Sequence, residues 1–323
     1  MLFRSLGLLW GDERSKILLL ACCNQGRTRG ADPVSGEERA NILLLACCYQ
    51  QGSLARDAQL SDTTKSTLHV QTVGVSDYGD STGRFPLPWA ARSSASIEDF
   101  YRRLSGGAGK RYAAVKVWDR LNNGDGTGAR IRQRLLGEIA QQAHADDVLI
   151  VYLAGHGVVL PGSEMFYFLP FDVRKDHFEE TGISAAMLAE DLRFLPFRRV
   201  LLIIDSCQAG GSLEALQKIA NVRAQIEKSR VQLHSVAEGQ QAGVGIHIIS
   251  ATLPLSYAVG SADGRSVFAE AFLQILQENA GGITAKRLER MLDDRLPAMS
   301  AQPSGGFKQV PLTFATGFDF PVN

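Results

Sequence analysis

From Thr67 onward, continuous apolar runs alternate with segments whose apolar residues recur every three or four positions. LHVQTVGV (68–75) and YAAVKVW (112–118) read as strands, and SSASIEDFYRRL (93–104) between them reads as a helix. DGTGARIRQRLLGEIAQQA offers Thr127 as a helix cap, followed by Ile131, Leu135 and Ile139 on one face. VLIVYLA (148–154) and VLLIID (200–205) are unbroken apolar stretches, the pattern of parallel strands covered on both faces. Helices are expected near 184–194 and 212–228, a strand at GIHIISA (245–251), helices at SVFAEAFLQIL and TAKRLERMLDDRL, and a last strand at KQVPLTFAT (308–316). Strands separated by helices predict an α/β fold, a mostly parallel sheet with helices on both faces. Such sheets hold ligands at the carboxyl ends of their strands.

Residues 1–65 break this rhythm. They contain a near-exact duplication, GDERSKILLLACCNQ at 11–25 and GEERANILLLACCYQ at 36–50, followed by the polar stretch QGSLARDAQLSDTTK. Two copies are too few for a solenoid, which needs about three units to bury its faces. The expected division is therefore a duplicated extension with its linker over 1–65 and one larger domain over 66–323. The extension reads equally as a loose tail or as a removable regulatory segment, each copy carrying an arginine, Arg14 or Arg39, open to a protease.

With 323 residues and 45% hydrophobic content, the chain is long enough to bury a sizeable core. Lys plus Arg balances Asp plus Glu at 34 each, so no overall field gathers nucleic acid or an anionic membrane, and neither is expected as a partner. No apolar run approaches the roughly 20 residues of a membrane span. ILLLAC at 17–22 is like a lipoprotein cleavage box, yet its apolar core is short and follows charged residues, so a cytoplasmic location is expected. The cysteines are Cys22, Cys23, Cys47, Cys48 and Cys207, an odd count with two adjacent pairs, which fits reduced thiols. None of them has zinc spacing.

His156 follows VLIVYLAG, and Cys207 follows VLLIIDS. If the two strands are neighbours, an imidazole stands beside a thiol at their carboxyl ends, within about 5 Å of strand spacing plus side-chain reach. A thiol is mostly protonated at neutral pH, and a nearby imidazole that takes its proton creates the nucleophile. Glycines flank the histidine because a carbonyl attacked by Cys207 develops negative charge and needs backbone donors close by; Gly157 and Cys207 N–H are the candidates. Taken singly, a lone cysteine is usually a small core residue and a lone histidine a satisfied turn residue. The joint signal is the stronger one, two strand ends 51 positions apart.

YLAGHG followed by DSCQAG resembles the Y-x-x-G-H-G and D-x-C-x-x-G pair of the caspase and metacaspase superfamily, especially its bacterial caspase-like members. The likeness runs over residues 68–320. LHVQTVGVSDY is similar to the family's first strand, EMFYFLPFDV to the segment after the histidine, IISATLPLSYA and SVFAEAFLQIL to the strand and helix after the cysteine, and KQVPLTFATGFDFP to its ending. The resemblance implies an αβα sandwich with a six-stranded sheet, and hydrolysis of peptide bonds by a Cys/His dyad without cofactor. It makes Cys207 the nucleophile, His156 the general base and acid, and Gly157 an oxyanion donor. It also implies a latent zymogen in bacterial signalling or defence, acting on protein or peptide substrates and activated by its own or an upstream protease. Activating cleavage in such enzymes falls after the cysteine, where this chain offers Lys218, Arg223, Lys228 and Arg230.

Family members that cut after Arg or Lys hold the cation with two aspartates. Asp205 matches one; at the other position Ser93 stands in place of the acid, with Arg92 adjacent. One carboxylate still favours a basic P1 residue, whereas an arginine in the pocket would favour an acidic one. Asp172 in LPFDV matches a calcium ligand of some metacaspases, but calcium takes six or more oxygens and one aspartate is no site, so no metal is expected. His177, His234 and His247 have no partners at suggestive spacing. Two rivals remain: a catalytically silent caspase-fold scaffold, and a flavodoxin-like enzyme, although GVSDYGDSTG is too irregular for a phosphate loop.

Overall fold

The structure, a computed structural model, describes residues 63–78, 86–106, 111–160, 165–175, 177–209, 217, 244–253, 258, 260–301 and 308–323. The duplicated segments, the expected helix at 212–228 apart from residue 217, and Lys218, Arg223, Lys228 and Arg230 lie outside this set. Ten strands are described: β1 (Thr67–Gly74), β2 (Ala114–Val117), β3 (Leu121–Asn122), β4 (Val148–Gly155), β5 (Gly157–Val159), β6 (Phe166–Phe168), β7 (Ile183–Ser184), β8 (Arg199–Ser206), β9 (Gly245–Ser250) and β10 (Leu312–Gly317). The principal helices are α1 (Pro88–Gly106), α2 (Gly128–Arg132, continuing in π-helical geometry over Gln133–Ile139), α3 (Ala185–Phe194), α4 (Val267–Glu278) and α5 (Ala285–Ser300).

The large sheet runs β10-β9-β8-β4-β1-β2, parallel except where β10 joins β9 antiparallel. A two-residue strand, β3, also pairs with β1. The register explains it: Val70 faces Val117 but Val73 faces Leu121, so one extra residue sits between β2 and β3. They are one edge broken by a bulge, and the expected six-stranded sheet gains its seventh strand this way. A second, three-stranded antiparallel sheet, β5-β6-β7, follows β4, and no alternation in GVVLPGSEMFYF announces it.

Period-two alternation sends the central strands into two cores. On one face Ile150, Tyr152, Leu201 and Ile203 pack with Ile97 and Tyr101 of α1, Phe268 and Phe272 of α4, and Leu288 of α5. On the other, Leu149, Val151, Leu202 and Ile204 pack with Ile131, Leu135 and Ile139 and with Leu188 and Leu192 of α3. Both faces being covered, β4 and β8 are buried along their whole length, which is why they read as continuous apolar runs. Thr127 caps α2 by accepting from Arg130 N–H, as its sequence predicts. Helix α1 begins at Pro88, upstream of the expected Ser93, because proline's fixed φ and missing N–H suit a first helical turn.

At the start of the described residues, Thr63 is buried and donates its hydroxyl to Arg111 O at 2.8 Å. No helix among the described residues is long and apolar enough to cross a membrane. Truncating the fully buried Leu201 to alanine should lower unfolding free energy by about 2–5 kcal/mol in urea titration. Phe194→Ser, at an exposed ring on α3, should change it by no more than about 0.5 kcal/mol.

Candidate active site

Strands β4 and β8 pair in parallel through Leu153 with Ile204, Ala154 with Asp205 and Gly155 with Ser206. His156 and Cys207 are the next residues after this pair, so both stand just beyond the ends of two adjacent strands. Both are half-buried. The structure therefore brings together the two residues that the sequence singled out.

Each strand end is tied down separately. After Cys207, Gln208 turns the chain with a left-handed φ of 58°, rare outside glycine. Two hydroxyls from the end of β9 fasten this turn: Thr252 Oγ1 donates to Ser206 O and accepts from Ala209 N–H, each at 3.1 Å, and Ser250 Oγ donates to Ala209 O at 3.2 Å. On the histidine side, Leu169 N–H donates to His156 O at 2.9 Å, while His156 N–H donates to the Tyr78 hydroxyl at 2.6 Å. The Tyr78 ring lies 5.0 Å from the imidazole, tilted by 42°. A further bond joins the two ends, Val159 N–H donating to Gln208 Oε1 at 2.6 Å.

Gly157 is required by close approach. A Cβ there would lie 2.5 Å from Cys207 O, 2.7 Å from Ser206 Oγ and 2.6 Å from the Phe166 ring. Its N–H direction follows from the β5–β6 ladder, in which Gly157 faces Phe168 and Val159 faces Phe166. Leu169 N–H reaches His156 O and Leu160 N–H reaches Met165 O, so by the alternation of an antiparallel ladder Gly157 and Val159 turn their N–H groups away from β6. Val159 sends its N–H to Gln208, and Gly157, two residues earlier, sends its own to the same side.

Beneath Cys207, Asp205 is fully buried. Its Oδ2 accepts from Tyr152 at 2.5 Å and from the Ser266 hydroxyl, while its Oδ1 is buried with no hydrogen-bond partner. Burial pushes the carboxyl up to about 6, against the two hydroxyls that favour its charge. Ser93 belongs to the same cluster: its Oγ accepts from Ser266 N–H at 2.9 Å. Ser266 also caps α4 by accepting from Ala269 N–H, so the N-terminus of that helix is built onto Asp205. Arg92, one residue before Ser93, is exposed and donates to Asp263 O at 2.9 Å.

Other flagged residues lie elsewhere. Asp172 accepts Gly128 N–H at 2.8 Å at the start of α2, a loop tie. His177 approaches Glu180 on the surface at 3.3 Å. His247 has a partner that no sequence spacing marks: inside the protein its Nδ1 meets Glu289 Oε1 of α5 at 2.7 Å, 42 residues away. Tyr78, Gln208, Ser250, Thr252 and Ser266 also escaped the sequence reading. Only the positions of the serine and threonine just after the apolar run of β9, and of serine before the apolar start of α4, could have pointed to two of these roles.

A comparison with known families matches the caspase domain of the peptidase C14 family over residues 116–319, more than half of the chain. No curated protein sequence matches. Among solved structures, a protein of Geobacter sulfurreducens superposes with a TM-score of 0.51 at 14% identity, covering 77% of this chain and 93% of that one. Caspase-1 from Spodoptera frugiperda superposes with a TM-score of 0.51 at 13% identity, covering 79% of this chain and 88% of its own. At such identities the likeness is one of fold, and it agrees with the sheet order and flanking helices described above. With the sheet, the paired strand ends and the family match together, the chain belongs to the caspase-domain family of peptidases.

Proposed function

We propose that the protein is a cysteine endopeptidase in which Cys207 is the nucleophile and His156 the general base and acid. The observation that carries this reading is the in-register pairing of Gly155 with Ser206, which sets the following histidine and cysteine on adjacent strand ends. The chemistry needs no cofactor. His156 takes the Cys207 proton, and the thiolate sulfur bonds to the carbonyl carbon of the scissile peptide while the C=O electron pair moves onto oxygen. The N–H groups of Gly157 and Cys207 stabilise that oxyanion. Collapse breaks the C–N bond, and the imidazolium proton passes to the departing amine. Water then attacks the thioester, giving a proton to His156, and the released thiolate recovers it.

Substrate preference in this proposal is for Arg or Lys at P1. A buried carboxylate oxygen without a partner is an uncompensated acceptor, and a guanidinium or ammonium supplies what it lacks. Ser93, joined to Asp205 through Ser266, belongs to the same buried cluster, while Arg92 is engaged with Asp263. We further propose that the protein is made latent and is activated by cleavage after one of Lys218, Arg223, Lys228 or Arg230, by itself or by an upstream protease, in a signalling or defence role.

Cys207→Ala and His156→Ala should each abolish hydrolysis of a peptide library while leaving the circular dichroism spectrum unchanged, because groups that act as a unit are lost together. Hydrolysis surviving Cys207→Ala would contradict the mechanism.

Asp205→Asn should lower kcat/KM on Arg and Lys substrates by about 2 kcal/mol or more, roughly thirtyfold. In the Cys207→Ala background, binding of benzamidine measured by calorimetry should weaken about tenfold per pH unit below about 6, where Asp205 takes up its proton. The Asp205→Asn change should flatten that profile. A cation whose affinity does not vary around pH 6 would locate the pocket elsewhere.

The same carboxyl governs stability in the opposite sense. Its folded-state value is raised from 3.8 to about 6, so the stabilisation comes from the protonated form, is complete below about pH 4 and is lost as pH rises through 6. The loss amounts to about 3 kcal/mol. Urea titrations should therefore show Asp205→Asn gaining about that much relative to the native chain between pH 4 and pH 7.

A further inference from the structure

We infer that Tyr78 is a positioning residue for the His156 imidazole, fixing it from the side opposite the cysteine turn through one hydrogen bond to its backbone and one ring contact. This rests on the reading of His156 as the proton carrier. Tyr78 is 2% exposed, and its hydroxyl sits at a junction: it accepts the His156 N–H at 2.6 Å and lies where a Cβ on residue 155 would come within 2.7 Å. Gly155 is therefore the residue that lets the phenol reach the histidine backbone. The ladder bond from Leu169 N–H to His156 O holds the next peptide group, so the histidine backbone is clamped between β6 and Tyr78. The ring at 5.0 Å then limits the imidazole's rotation.

The phenol is itself held by a built loop. After β1, Val75 N–H donates to Ala154 O at 2.9 Å, which fixes the exit of the strand beside the end of β4. Ser76 and Asp77 N–H groups both donate to Asn123 Oδ1, at 2.9 and 3.1 Å. Asn123 carries a left-handed φ of 44°, a conformation that asparagine tolerates better than most residues. Ser76 O accepts Leu87 N–H at 2.8 Å and Ser76 Oγ accepts Ala91 N–H at 2.8 Å, so α1 closes the loop from behind. One asparagine, one serine and the phenol thus form a chain of contacts from the sheet edge to the histidine. Tyr78 touches the proton carrier and acts through it, which separates it from the reacting pair.

The test compares Tyr78→Phe, which keeps the ring and removes the hydroxyl, with Tyr78→Leu, which removes both. On an Arg peptide, Tyr78→Leu should lower kcat about ten- to a hundredfold, the scale of loss from a misplaced catalytic group, with KM within about twofold. Tyr78→Phe should fall between it and the native chain. The second readout is nuclear magnetic resonance of the His156 ring protons, assigned by their absence in His156→Gln. Tyr78→Leu should remove their ring-current displacement and Tyr78→Phe should retain it, while hydrogen exchange of the His156 amide quickens about tenfold in both. Unchanged kcat in Tyr78→Leu, or unchanged ring-proton shifts, overturns the inference; should the leucine variant not fold, the phenylalanine variant's amide exchange and kcat decide it alone. Absence of Cys207-dependent hydrolysis both in the native chain and after limited trypsin cleavage overturns the peptidase reading, and the resonance and exchange comparison then decides the positioning of His156 by itself.

Discussion

The parallel pairing of β4 with β8 is the constraint on which the rest depends. Eight residues of each strand lie in register, all buried, between two apolar cores. Because the side-chain period is two, a slip of one residue would turn every apolar side chain of one strand to the wrong face. The register is therefore held by the whole core rather than by the polar residues at its end. His156 and Cys207 inherit their proximity from it, at the one place where the strands stop and side chains can face outward.

What the core cannot set is the orientation of groups beyond the last pair, and there the polar residues take over. Thr252 and Ser250 hold the cysteine turn from β9, Tyr78 and Leu169 hold the histidine, and Gln208 ties one turn to the other through Val159. Two glycines are the gaps through which these contacts pass, Gly155 toward Tyr78 and Gly157 toward the Cys207 carbonyl. Below them a buried carboxylate with one oxygen unpartnered sits two residues before the cysteine. Such a group destabilises the fold above about pH 6 and gains most from a cation, so the proposed recognition of a basic residue links to stability through Asp205.

The sheet and its helices were legible because burial writes itself into composition. VLIVYLAG and VLLII are apolar throughout since both their faces are covered, and Thr127 marks a helix start by a local hydrogen bond. The histidine and cysteine were legible from their places at the ends of such runs. The β2–β3 bulge was not, since β3 is only Leu121 and Asn122, too short to show a period, and neither was the small β5-β6-β7 sheet, whose strands have two or three residues and no periodicity to read. Ser93 was singled out as the replacement of an acid, but its link to Asp205 runs through Ser266, 173 positions away. Tyr78 meets His156 across 78 positions and His247 meets Glu289 across 42, separations that only the folded sheet closes.

The account turns on Cys207 and His156 acting as one unit, and the rate at which each cysteine is alkylated tests this most directly. Native protein and His156→Ala are treated with limiting iodoacetamide at neutral pH, and modification of Cys22, Cys23, Cys47, Cys48 and Cys207 is followed separately by peptide mass spectrometry. A thiol activated by an adjacent imidazole reacts well ahead of ordinary thiols. The account predicts that Cys207 is modified first in the native chain and loses that lead in His156→Ala. Equal rates at Cys207 in the two proteins would contradict it.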